Sequence, residues 1–213
     1  MASDWLIEHW PRCGFHAFLS HVAGDRDSLV VPVLQGLERG GLASWLDAHH
    51  YPTGRDSHEA LRESMLCCRH IVYFITPALL KQGRGWTAIE SAYADLVHRQ
   101  LALPSSALMQ FELPLFFVDR DHRSLTRSAW RRLSDRGAFF RPRTKKTTSG
   151  SRETDQINWA IDEITRFVRR EENQSESVAD RLQHDVALTE RFARNPNLRD
   201  RLLGLAPVKL TSR

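Results

Sequence analysis

The chain has 213 residues and a formal net charge of +4, from 30 Lys+Arg against 26 Asp+Glu. The excess is local: residues 1–140 hold 15 basic and 15 acidic side chains, residues 141–152 (RPRTKKTTSGSR) hold five basic and no acidic ones, and residues 153–213 hold ten and eleven. A nucleic-acid binder spreads Lys and Arg over a face or along a helix, so this distribution argues against such a partner and for one solvated basic loop.

Strand-like and helix-like segments alternate over the first 170 residues, which predicts an α/β fold with a mainly parallel sheet. Phe15 to Ser20 (FHAFLS) is an apolar run that ends at a polar turn, His21 to Asp27. Val30, Val33, Leu34 and Leu37 then recur at helical spacing, Pro32 fits only the first turn, and Gly40-Gly41 stops the helix. Leu42 to Leu46 reads as a second strand, followed by the loop Asp47 to Asp56 and a helix with Leu61, Met65 and Leu66 on one stripe. His70 to Thr76 (HIVYFIT) is nearly continuous in apolar residues, as a strand covered on both faces should be. A connection over Pro77 to Gly85 leads to a helix marked by Trp86, Ile89, Tyr93, Leu96 and Val97. Leu113 to Val118 reads as a fourth strand, Leu125 to Leu133 as a short helix, and Ala138 to Arg141 as a weak fifth strand. After the basic loop, Ile157, Ile161, Ile164 and Val168 mark an amphipathic helix. From Glu171 onward the chain turns polar, with sparse apolar positions broken at Asn195-Pro196, which predicts a C-terminal helical extension over residues 171–213.

Three cysteines, Cys13, Cys67 and Cys68, form an odd set with no CxxC spacing, so a reducing cytoplasm is expected rather than a disulfide framework or zinc site, with Cys67 and Cys68 as buried structural thiols. No stretch reaches the roughly 18 apolar residues of a membrane span, and the N-terminus lacks a signal peptide's pattern. The histidines His49, His50 and His58 lack the acidic or Cys partners that a metal site needs, so no metal is expected. Neither a G-x-S-x-G elbow nor a P-loop motif occurs.

Three strings in order resemble a TIR (Toll/interleukin-1 receptor) domain of the bacterial kind: FHAFLSHVAGDRD, ASWLDAHHYPTG and CCRHIVYFITPALLKQGRGWTAIE. They are similar to the family's first strand and loop, its second strand and BB loop, and its third strand followed by a Trp-x-x-x-Glu motif. His16 stands where the family usually has Asp. The resemblance implies a flavodoxin-like fold of about five parallel strands over residues 1–170. It also implies one of two functions. The first is cleavage of the nicotinamide–ribose bond of NAD+, by hydrolysis or cyclisation, as in bacterial antiviral defence; the second is a non-enzymatic adaptor acting by TIR–TIR self-association. In the first case NAD+ is the substrate and no separate cofactor is implied, while self-association and a separate sensor or effector protein are the implied partners. The resemblance maps the catalytic carboxylate to Glu90. Ser20, His21, Asp47, Tyr51, Lys81, Arg84 and Trp86 follow as candidate substrate-binding residues. The chemistry fits a lone carboxylate: nicotinamide leaves neutral without protonation, and the ribose develops cationic character that a carboxylate stabilises. Trp86 and Glu90 stand at i and i+4, on one helical face.

Overall fold

A computed structural model of the chain describes residues 15–47, 57–81, 85–101, 115–119, 138–140 and 151–171. Its centre is a parallel sheet in the order β2-β1-β3-β4-β5, built from β1 (Phe15–Ser20), β2 (Ser44–Trp45), β3 (Cys68–Ile75), β4 (Leu115–Asp119) and β5 (Ala138–Phe140). Parallel neighbours need crossover connections, and helices supply them. α1 (Val31–Arg39) joins β1 to β2, α2 (Ser57–Leu66) joins β2 to β3, and α3 (Pro77–Lys81) with α4 (Trp86–Leu101) joins β3 to β4, while α5 (Ser151–Glu171) follows β5. The fold class is therefore α/β with a parallel sheet, as the alternating pattern predicts.

Side chains on a strand alternate between faces, so β1 and β3 each serve two layers. Ala17 and Leu19 of β1 and Val72 and Phe74 of β3 share one cluster with Val33, Leu34 and Leu37 of α1 and Ala160, Ile164 and Val168 of α5. Each Val, Leu, Ile or Phe among them, fully buried, contributes roughly 1.5–3 kcal/mol. The alternate residues Phe18, Ile71 and Tyr73 are equally buried, and Phe18 stacks on Trp45 at 4.5 Å between ring centroids. α2 packs against both β3 and α4.

The end of α1 shows how local sequence sets a boundary. Gly41 adopts φ 80°, the left-handed conformation that glycine takes without penalty, and Leu42 N–H bonds back to Leu37 O at 2.9 Å. Arg169 of α5 donates to the Gly40 carbonyl at 3.0 Å, tying the two helices together at that end. Further along the contact, Gly36 faces the Ile161 side chain so closely that a Cβ would fall inside it.

Several expected boundaries differ. The second strand covers only Ser44–Trp45, because Leu42 N–H closes the helix on Leu37 O; Ala43 O, just ahead of the strand, accepts from His16 N–H of β1 at 2.7 Å. β3 starts two residues before His70, at Cys68. The connection from Pro77 is not all loop: Pro77 opens α3, where its missing N–H is no loss, and Thr76 Oγ1 accepts from Leu79 N–H at 3.2 Å as an N-cap. α5 begins at Ser151, so the last two residues of the basic segment are helical. Cys67 is disulfide-bonded, which overturns the expectation of a free thiol there, whereas Cys68 is a buried free thiol whose pKa burial pushes up. The expected helix over residues 125–133 and the extension over residues 171–213 lie outside the described residues. No described helix is long and apolar enough to cross a membrane.

Candidate functional site

The strand order places a crevice before any side chain is considered. The chain leaves β1 for α1 and β2 on one side, while β3 lies on the other side of β1. Loops leaving adjacent strands in opposite directions open a cleft at the carboxyl edge of a parallel sheet. A cleft of about 280 Å³ lies there, lined by Leu19 and His21 from the end of β1, Arg26 from the following turn, Asp47 after β2, and Trp86, Thr87 and Glu90 from α4.

Glu90 is the most unusual group in it. It is 8 % exposed, and its Oε2 accepts a hydrogen bond from the Ser20 hydroxyl, itself buried at the last position of β1. Burial raises the Glu90 pKa from 4.5 to about 8; the Ser20 hydrogen bond opposes that rise, and the negative charge of Asp47 adds to it. A neutral carboxyl at pH 7 follows, one that a cationic ligand would drive towards the ionised form. Trp86, one turn earlier on the same helix, is 46 % exposed, the large hydrophobic side chain most open to solvent among the described residues. Its ring lies 5.1 Å from that of His58 at the start of α2, tilted at 47°. Thr87 Oγ1 donates to the His21 carbonyl at 3.1 Å, fastening α4 to the exit of β1.

The opposite wall is charged. The turn after β1 is irregular, a 3-10 segment (Ala23–Asp25) followed by a π turn (Arg26–Val30), before α1 begins. π turns concentrate at functional sites. This one carries Arg26 towards Asp47, whose Oδ2 accepts from Arg26 Nη2 at 2.8 Å. Arg26 Nε also donates to His21 Nε2 at 3.3 Å, and His21 Nδ1 lies 3.1 Å from Leu19 O. His21 Nε2 also lies 3.7 Å from Asp47, so Arg26 and His21 both border that carboxylate. Asp25 accepts from the Thr76 hydroxyl, which anchors the turn to the end of β3.

Of the candidates from sequence, the structure brings Ser20, His21, Asp47, Trp86 and Glu90 together around this cleft. Lys81 does not join them: it ends α3, exposed and away from the cleft lining, because Pro77 turns that segment into a helix instead of a loop reaching over the site. Tyr51 and Arg84 lie outside the described residues. Sequence reading missed Arg26 and Thr87. Thr87 adjoins Trp86 and could have been found by walking the helix start, whereas nothing local marks Arg26, whose partner is 21 residues away. Among the described residues, no group of three or more His, Cys, Asp or Glu is placed to hold a metal ion. No protein-family model matches the chain, and neither does any curated protein.

Proposed function

We propose that this protein is an NAD+-consuming enzyme of the TIR type, cleaving the bond between nicotinamide and ribose with Glu90 as the catalytic carboxylate. The observation that carries the reading is a buried carboxyl held by the Ser20 hydroxyl at the carboxyl edge of a parallel sheet, with an exposed indole one turn away. The strand order 2-1-3-4-5 is that of flavodoxin-like folds and supports the finer fold assignment.

The chemistry follows from the environment of Glu90. The nicotinamide ring of NAD+ is cationic, so its arrival beside Glu90 favours loss of the carboxyl proton. The resulting carboxylate stabilises the oxocarbenium-like ribose as the C1′–N bond breaks and nicotinamide leaves with the bonding electrons. Exclusion of water from the buried carboxylate strengthens this interaction. Whether water or the adenine ring then reaches C1′ decides between hydrolysis and cyclisation. Bacterial antiviral defence is the setting that the TIR resemblance suggests, with self-association completing the site and a sensor protein as trigger.

The test is incubation of the purified chain with NAD+ and chromatography of the products. Nicotinamide release should fall by about 10²–10³-fold in Glu90→Gln. In the wild type, kcat/KM should rise with pH towards a plateau above about 8, as the free carboxyl ionises. Release that survives Glu90→Gln overturns this mechanism. The second reading, an adaptor acting by TIR–TIR contact, is favoured by the exposure of Trp86, a side chain that a docking partner would cover. Absence of nicotinamide release under every assembling condition supports it.

A further inference from the structure

We propose that Arg26 is the anion-binding residue of the cleft and that its ligand is the phosphate portion of a nucleotide. Arg26 is the Lys or Arg that lines the cleft among the described residues. Its guanidinium has five N–H donors, and the structure uses them unevenly. Nε donates to His21 and Nη2 to Asp47, while Nη1 makes no hydrogen bond among the described residues. Two partners therefore hold the group still from one side and leave donors on the other side unused.

A guanidinium placed in this way differs from a solvated surface arginine. Fixing its long side chain in advance removes much of the entropy that a ligand would otherwise have to overcome. Its planar fork matches the oxygens of a phosphate, and one guanidinium bridges two anions, with a carboxylate on one edge and a phosphate on another. Asp47 is then a positioning residue, and so is His21, whose Nε2 accepts from Arg26 Nε. The π turn belongs to the same arrangement, since Arg26 is its first residue and lines the cleft. Lys81, the basic candidate from sequence, is exposed on α3 outside the cleft and does not compete for this role. The nucleotide part of the proposal rests on the NAD+ reading; the phosphate part rests on the geometry of Arg26.

The experiment compares binding of ADP and adenosine to the full chain by calorimetry, which requires no turnover. The wild type should bind ADP more tightly than adenosine. Arg26→Gln should weaken ADP binding about tenfold or more, as expected for loss of a charged hydrogen bond, and leave adenosine binding unchanged. Arg26→Lys, which keeps the charge without the fork, should fall between the two. Thermal melts of both variants establish that they are folded. A wild type with no preference for ADP overturns the proposal, as does an Arg26→Gln variant that binds ADP normally. Equal loss of ADP and adenosine binding overturns it as well, because Arg26 would then only brace the loop. A preference for ADP without nicotinamide release from NAD+ leaves this proposal standing and removes the enzymatic reading instead.

Discussion

The two ends of the β1–β3 pair obey opposite rules. Along the strands, Ala17, Leu19, Val72 and Phe74 lie beneath α1 and α5 with hardly any polar atom among them. At the carboxyl edge, within a residue or two, Ser20, His21, Arg26, Asp47 and Glu90 crowd into one cleft. The first region is close-packed, down to a glycine whose missing Cβ is filled by Ile161. The second holds a carboxyl that burial keeps neutral, an arrangement that stability alone gives no reason to keep. Packing governs the first region and electrostatics the second, so substitutions in the two should fail in different ways.

The largest effect is expected at Glu90, and its sign depends on pH. Below about 4.5 the carboxyl is neutral in the folded and unfolded chains alike and contributes no difference. Between 4.5 and about 8 the unfolded chain loses the proton while the fold retains it, so wild-type stability declines with rising pH. Glu90→Gln escapes that decline. Denaturant melts should therefore show the variant gaining on wild type from pH 5 to pH 8, by up to roughly 4 kcal/mol at about 1.4 kcal/mol per pH unit. A difference that stays constant with pH would remove the electrostatic account of the cleft.

Next comes Phe18→Ala, expected to destabilise by about 3–5 kcal/mol at all pH values, since it empties a fully buried site and unstacks Trp45. Gly36→Ala should cost about 1–3 kcal/mol by overpacking against Ile161, and the double variant with Ile161→Val should recover part of that loss. Both are read from urea midpoints. The smallest effect belongs to Arg166, whose ion pair with Glu163 one turn earlier on α5 is exposed; Arg166→Ala should change stability by no more than about 0.5 kcal/mol. Agreement of these three with no pH dependence, beside a strong one at Glu90, would sharpen the contrast between the two regions.

Much of the architecture was legible in the chain because it follows from periodicity. FHAFLS and HIVYFIT are strands because their apolar runs suit a sheet covered on both faces, and the stripe from Ile157 to Val168 reads directly as the packed face of α5. Trp86 and Glu90 share a face because helix geometry requires it. Legibility failed where a residue's neighbour is remote in sequence. The short helix after Thr76 depends on a cap that also bonds Asp25, 51 residues away, and Lys81 moved out of the site with it. The disulfide at Cys67 was invisible because an odd cysteine count and an absent CxxC pattern say nothing about which cysteines meet in space.

The sequence by itself determined the α/β alternation, the amphipathic faces, the glycine stop after α1 and the Trp86–Glu90 spacing, all of which are properties of residues within a few turns of one another. Only the tertiary structure decided the electrostatic character of the edge. It set Ser20 against Glu90 across 70 residues, raised that carboxyl by burying it, and turned Arg26 onto Asp47 while leaving Nη1 unused. The reason is physical: periodicity is encoded in the local chain, whereas desolvation and charge pairing exist only once distant segments exclude water together.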